Sequence, residues 1–381
     1  MRIYLVGGAV RDGLLELPVR ERDWVIVGAT EAEVEAAGFE RLKAGFPVFL
    51  HPESREEYAL ARRERKTGPG YKGFEVDAGP DVTLEEDLAR RDLSINALAR
   101  DEAGELVDVF GGRDDLDNGL LRHITPAFSE DPVRLLRAAR FAAKLGRWGF
   151  RLAHGTHALL KQMAGFEELA TVLPERLREE MTKALRTEQP WRFFEVLHRC
   201  GALARLLPEL AAGMGGPGSH GGNPDAQPIL ALTCVASQTQ EPELRLAAVA
   251  TAVLADPAGG RRFSKALRLD RASTELLERV LAWPAERVGN ADAETLLALL
   301  EQTKGLQHPI RLQQLQMLWR CLDVDSTAAE RSEQARRAAA AVNADDLLAQ
   351  GWRGPELGAE LRRRRLVSIE GALTEEARSL D

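Results

Sequence analysis

The sequence predicts an α+β head built on a mixed sheet, followed by a neck, body and tail that are all helical. Three observations carry this reading. Short β-type runs punctuate the first 125 residues, apolar residues recur at helical spacing from Pro132 onward, and a glycine- and proline-rich stretch interrupts the helical part. In chain order, Ile3–Val6, Trp24–Val27, Pro47–Leu50 and Glu57–Ala61 are the expected strands, alternating with amphipathic stretches in a head of residues 1–125. The neck, residues 126–210, repeats Leu135, Leu136, Ala139 and Ala142 on one helical face. Residues 211–228 cannot sustain a helix and are expected to be a linker or surface loop. A helical body follows at 229–345, with Leu296, Leu299 and Leu300 and then Leu312, Leu315 and Trp319 in phase. A short helical tail closes the chain at 346–381.

Composition narrows the function classes. The chain has 381 residues, 44% hydrophobic and 29% charged, which suits a soluble globular protein with a real core. No apolar run approaches the roughly 18 residues of a membrane span. The opening Met1–Gly7 reads as a strand rather than a secretion signal, so a cytoplasmic protein, expected as a monomer, is the default. Cys200, Cys234 and Cys321 are far apart and odd in number, and neither a disulfide framework nor a cysteine zinc site is expected. A net charge of −8 argues against indiscriminate nucleic-acid binding but leaves room for a local basic surface.

The chemistry begins at Leu5-Val6-Gly7-Gly8-Ala9-Val10-Arg11-Asp12, paired glycines between a strand and a helix. Such a turn lets a phosphate approach the backbone, and Arg11 one turn later can reach the same anion. Alone, it would read as a plain strand-to-helix turn. Glu21-Arg22-Asp23 then places two carboxylates at i and i+2 on a strand edge, the donor type that holds Mg²⁺ against triphosphate oxygens. An isolated acidic pair of this kind is usually a solvated edge; behind Gly7-Gly8 it is far more specific.

These residues resemble the head of the nucleotidyltransferase superfamily, specifically the class II tRNA nucleotidyltransferases (CCA-adding enzymes) and their poly(A) polymerase relatives. Four further motifs follow in family order: Arg90-Arg91-Asp92 through Ala99, Asp108-Val109-Phe110-Gly111-Gly112, Glu130-Asp131-Pro132-Val133-Arg134, and Pro174-Glu175-Arg176 with Glu180. The tail matches weakly through Gly351, Gly354, Pro355, Glu356, Leu357 and Leu361. The resemblance implies that Glu21 and Asp23 hold Mg²⁺, that Gly8, Arg11 and Arg91 hold the triphosphate, and that Asp92 accepts from a ribose 2′-hydroxyl. It implies in turn that Asp131 and Arg134 select the base.

Elementary hydrogen bonding agrees with that last role. A carboxylate accepts from an exocyclic amine and a guanidinium donates to a ring nitrogen, so one Asp/Arg pair on a shared helix face suits CTP and ATP and refuses UTP and GTP. Without the motif, the pair would be an ordinary intrahelical salt bridge. Arg137 and Arg140 continue the face towards phosphates or base, or are paired at the surface.

Two departures from the family pattern stand out. Glu21 occupies a position normally held by Asp. The body also shows Leu254-Ala255-Asp256-Pro257 where related enzymes carry the His-Asp pair of a phosphohydrolase, so a degenerate region without hydrolase activity is expected. Arg176, Arg362 and Arg363 are candidate contacts to tRNA, whose acceptor stem and T-arm would be read by shape. The expected function is template-independent, Mg²⁺-dependent addition and repair of the tRNA 3′-terminal CCA from CTP and ATP. The competing readings are a CC-only or A-only enzyme, a poly(A) polymerase, and a weakened tRNA-binding protein.

Overall fold

Along Asp23–Val27 the side chains alternate between two buried layers: Val25 and Val27 pack with Leu88 and Ala97, while Ile26 packs with Val34, Phe49 and Leu60. A strand buried on both faces belongs inside a covered sheet. The structure, a computed structural model, describes residues 1–43, 46–68, 73–215, 226–323 and 327–380. Residues 216–225 of the expected linker 211–228 lie outside those residues, and its described ends, 211–213 and 227–228, are helical rather than linker. The chain divides into two units, Met1–Pro208 and Glu209–Asp381.

The strands of unit 1 are β1 (Arg2–Val6), β2 (Asp23–Val27), β3 (Glu40–Arg41), β4 (Val48–Leu50), β5 (Glu57–Leu60), β6 (Arg63–Lys66), β7 (Phe74–Asp77), β8 (Leu98–Asp101), β9 (Leu106–Asp108) and a short parallel pair, β10 (Leu120–Leu121) and β11 (Arg151–Leu152). Seven of them form one sheet in the order β3-β4-β5-β2-β1-β8-β9. The sheet is mixed, as the sequence predicts: β2 and β5 run parallel and the other neighbours antiparallel. β6 and β7 form a separate hairpin. The expected strands are all present. β8 escaped the pattern because Leu98 and Ala99 are both buried, which erases the in-out alternation.

Helix α1 (Gly8–Leu14) leaves β1 through Gly7, whose φ of 71° suits glycine. Next come α2 (Glu31–Ala36) and α3 (Leu84–Ala89), each opened by a capping box, Thr30/Glu33 and Thr83/Glu86. α4 (Gly112–Asp117) starts where Asp108 accepts from the backbone N–H groups of Gly112 and Arg113, both at 2.8 Å. The remaining helices of this unit are α5 (Val133–Leu145), α6 (His154–Gly165), α7 (Pro174–Leu185), α8 (Trp191–Arg199) and α9 (Ala202–Leu206). α5 buries Leu135, Leu136, Ala139 and Ala142 and packs on α7 and α8.

After α10 (Pro208–Gly213), unit 2 is helical throughout its described residues. It contains α11 (Gln227–Gln238), α12 (Pro242–Thr251), α13 (Pro257–Ala266), α14 (Arg271–Ala282), α15 (Ala285–Gly289), α16 (Ala293–Thr303), α17 (Pro309–Leu322), α18 (Ala328–Ala340), α19 (Ala344–Ala349) and α20 (Gly354–Leu380). Leu296, Leu299, Leu300, Leu312, Leu315 and Trp319 share its core, as their spacing predicts. The cysteine expectation is corrected here. Cys234 on α11 and Cys321 on α17 form a disulfide with Cα atoms 5.4 Å apart. The packing of two helices whose cysteines are 87 residues apart, which no spacing rule reads, brings the pair together.

Candidate active site

Three central strands meet at one end of the sheet. Val6, the last residue of β1, pairs with Asp23 at the start of β2 and with Ala99 near the start of β8. The Gly7-Gly8 turn, Asp23 and the segment leading into β8 therefore share one edge. Gly7 N–H donates to the Leu98 carbonyl at 2.9 Å, extending the ladder into the turn.

Around this edge the side chains form one connected network. Arg11, 3% exposed, donates to the Asn96 side-chain carbonyl and, through Nε and Nη2, to Asp12 at 2.8 and 2.6 Å. Its Nη2 lies 3.5 Å from where a Cβ on Gly8 would stand. Asn96 donates to Asp92 Oδ1 at 2.8 Å, and the Leu93 N–H reaches the same oxygen at 2.8 Å. Arg137 Nε donates to Asp92 Oδ2 at 2.7 Å. Burial pushes the Asp92 carboxyl up, but Arg137, Asn96 and the Leu93 N–H outweigh it and hold the group below the usual carboxylate range.

Next along α5, Arg140 donates to Glu180 on α7, and Lys144 bonds Asp12 at 3.0 Å. The Arg140 guanidinium sits 4.2 Å over the Phe141 ring, with Arg11 at 5.2 Å and Arg137 at 5.9 Å from the same ring. Burial pulls Lys144 down, with Arg11 adding to the effect against Asp12. Arg91 places Nη1 2.7 Å from the position of a Cβ on Gly7, so the guanidinium lies against the glycine turn. The result is a concentration of guanidinium groups beside a glycine turn, a site for a polyanion.

The family comparisons agree with this geometry. Residues 3–122 match the family described as "Poly A polymerase head domain", and residues 149–214 match "Probable RNA and SrmB- binding site of polymerase A". A "Multifunctional CCA protein" of Thioalkalivibrio sulfidiphilus is 42% identical over 401 residues, covering 97% of this chain and 98% of that protein. One of Laribacter hongkongensis is 43% identical over 408 residues, covering 98% and 99%. The chain belongs to the bacterial class II CCA-adding enzyme family. Among solved structures, the Bacillus stearothermophilus CCA-adding enzyme in complex with CTP is 26% identical. It superposes with a TM-score of 0.60 over 97% of this chain and 89% of its own.

Nucleotidyltransferases of this kind use a divalent metal ion. Glu21 and Asp23 are both exposed, and neither carboxylate bonds another described side chain. Two free hard-oxygen donors suit Mg²⁺, which commonly takes one or two carboxylates and completes its shell with phosphate and water. The donor set therefore fits. Only Asp23 lies in β2; Glu21 precedes the strand, so the two do not share a strand edge as the i, i+2 spacing suggests.

The expected Asp131/Arg134 helix face is also corrected. Asp131 stands outside α5 with extended backbone, φ −118° and ψ 109°, because the residue before a proline avoids helical geometry. Its carboxylate accepts from the Val133 N–H at 2.9 Å, while Arg134 donates to the Ala127 and Arg90 carbonyls at 3.2 and 2.8 Å. No ion pair joins the two among the described residues.

Three further placements matter for a CCA-adding enzyme. Arg90-Arg91-Asp92 follows the end of α3 rather than opening a helix. Asp256, where the hydrolase pair was sought, caps α13 by accepting from Gly259 N–H at 2.7 Å. Arg176 pairs with Glu179 at 3.0 Å; Arg362 pairs with Glu294 and Glu301, and Arg363 with Glu360.

Sequence reasoning missed Asp87 and Asn96 as members of the network, and gave Asp12, Lys144 and Glu180 no role in it. Asp87 sits at i−3 and i−4 from Arg90 and Arg91, and Asn96 at i+4 from Asp92, so those two left a local signal. The links from Asp12 to Lys144 and from Glu180 to Arg140 span 132 and 40 residues, and no local spacing signals them.

Proposed function

We propose that this chain builds and repairs the 3′-terminal CCA of tRNA, transferring CMP and AMP from CTP and ATP to an RNA 3′-hydroxyl. The observation that carries the reading is the shared sheet end, where Asp23 stands one register position from a glycine turn flanked by Arg11 and Arg91. The hydroxyl oxygen forms a bond to the α-phosphorus, the bond to the β-phosphate oxygen breaks, and pyrophosphate leaves.

The chain's part is positioning and charge neutralisation. Gly7 and Gly8 let the phosphates approach the backbone; Arg11 and Arg91, with Arg137 and Arg140 behind them, oppose their charge. Glu21 and Asp23 would hold Mg²⁺, which when bound supplies neutralisation of the triphosphate and a lowered pKa for the attacking hydroxyl. Asp92, pinned by Asn96 and Arg137, keeps an acceptor edge at the site for a ribose hydroxyl. Asp131 offers an acceptor to the exocyclic amine, and Arg134 a donor to the ring nitrogen, that cytosine and adenine share, and reaching a base requires Arg134 to release backbone carbonyls.

RNA is gripped by shape at the acceptor stem and T-arm, with Arg176, Arg362 and Arg363 as contact candidates. Working as a monomer in the cytoplasm, the enzyme would carry Cys234 and Cys321 largely as thiols.

The test is extension of tRNA ending at the discriminator base, at C, or at CC, with CTP, ATP, both, or UTP and GTP. Addition of C, C and A, then arrest, is expected. Arrest after CC, addition of A alone, or long A tails would replace the reading with a partial enzyme or a poly(A) polymerase. No extension, even by Glu21→Asp, would leave a tRNA-binding protein.

A further inference from the structure

We propose that Asp87 is a positioning residue for the triphosphate: its buried carboxylate holds Arg91 against the Gly7-Gly8 turn and acts on the nucleotide through that arginine alone. The proposal rests on the function proposed above, and extends it to a residue just ahead of the Arg90–Ala99 motif.

Asp87 lies on α3 and is fully buried. Its Oδ2 accepts from Arg91 Nη2 at 3.2 Å. Its Oδ1 accepts from Arg90 Nε and Nη2 at 3.0 and 2.8 Å, and from the backbone N–H of Arg62 at 3.2 Å. A carboxylate removed from water at 0% exposure requires compensation of this order. Burial pushes its carboxyl up, but Arg90 and Arg91 outweigh that and keep it an anion.

Arg91 is only partly satisfied by this arrangement. Its Nε is buried without a hydrogen-bond partner, and Nη1 points at Gly7. Buried guanidinium N–H groups without an acceptor are rare in folded proteins, and an anion in the glycine turn supplies one. Arg91 stands beyond the end of α3, where the helix no longer constrains a long side chain. Asp87, one turn back, takes one nitrogen and thereby aims the other two. Arg90 is engaged differently: it bonds Glu64 at 3.0 Å at the base of the β6–β7 hairpin, and its carbonyl accepts from Arg134. The same carboxylate thus serves the hairpin base and the anion site, and the experiment separates the two.

The experiment measures CTP-dependent extension of tRNA by the full chain and its variants Asp87→Asn, Arg91→Gln, the double variant and Arg90→Gln. It also follows the thermal shift of each with inorganic tripolyphosphate. For Asp87→Asn, KM for CTP is expected to rise roughly tenfold while KM for tRNA stays within about twofold. The tripolyphosphate shift should weaken in parallel. Placed on Arg91→Gln, Asp87→Asn should change KM for CTP by less than about twofold, since its effect runs through an arginine already gone. Arg90→Gln, which keeps the Asp87–Arg91 bond, should raise KM for CTP less than Asp87→Asn does.

Multiplicative effects in the double variant, or an unchanged KM for CTP in Asp87→Asn, would overturn the proposal. If Asp87→Asn does not melt cooperatively, Asp87→Glu takes its place with the same expectations. Failure of the wild-type chain to extend tRNA would overturn the proposed function, and the tripolyphosphate shifts would still decide the role of Asp87.

Discussion

On α5 a cation recurs every three or four residues, and each reaches another part of the fold: Arg134 the Arg90 carbonyl, Arg137 Asp92, Arg140 Glu180, Lys144 Asp12. On α20 the run Arg362–Arg365 is denser, yet Arg363 and Arg364 share Glu360 on their own helix, and Arg362 bonds Glu294 and Glu301 on α16. Both are arginine-rich helices, and charge counts alone do not separate them. The α5 partners are 40 to 132 residues away, and three of the acids are no more than 15% exposed, so the pairs lock distant elements into one arrangement. Of the α20 pairs, those to Glu360 stay within one helix, and those from Arg362 reach half-exposed acids on α16 and contribute little.

The largest break in that comparison is at the acids themselves. Asp23→Ala, which removes the proposed metal donor and breaks no bond to a described side chain, should lower kcat/KM for tRNA extension on the order of 10³-fold with an unchanged melting temperature. Arg140→Gln on α5 should cost on the order of 10²-fold, whereas Arg363→Gln on α20 should stay within about threefold and show its effect in the salt dependence of tRNA binding. Equal losses at the two arginines would erase the contrast.

A smaller effect separates the units by redox state. Reduction of Cys234–Cys321 releases an 87-residue loop closure and should lower the melting temperature of unit 2 by several degrees. The chain-entropy model sets an upper bound of about 4.6 kcal/mol. Calorimetry with and without dithiothreitol reads it, and the unit 1 transition should not move.

The smallest effect is on pH. Glu86 in unit 1, held by Arg63 and the Thr83 N–H, and Glu333 in unit 2, held by Arg336 against burial, both have pKa values lowered from 4.5 to about 2. Depressed carboxyls stabilise the fold above their unfolded values and lose that contribution as pH falls through the folded ones. The melting temperature of unit 2 should therefore be flat from pH 7 to 5 and fall between about 4.5 and 2, while in unit 1 His123, His157 and His198, lowered by burial, add a fall that begins below about pH 6.5. Asp92→Asn should shrink the acid limb of unit 1 alone, since Asp92 too is depressed.

Much of the head was legible in advance. β1, β2, β4 and β5 fall where short β-branched and aromatic runs placed them, and Gly7, Gly8, Arg11, Arg91 and Asp92 gather at one sheet end. The failures have separate causes. β8 lacked alternation because both its faces are buried. Asp131 left the helix because Pro132 follows it. Asp87 read as one more acid in a helix first turn: its spacing to Arg90 and Arg91 is local, but its burial is not.

What the sequence determined by itself was everything carried by neighbours in the chain: strand and helix periodicity, capping boxes, the glycine turn, and the motifs whose spacing is only a few residues. What the tertiary structure decided was which acid answers each cation, which cysteines meet, and which charge is buried. Those outcomes depend on packing between elements tens of residues apart. The free energy of an ion pair is set by burial and geometry, neither of which a one-dimensional pattern encodes.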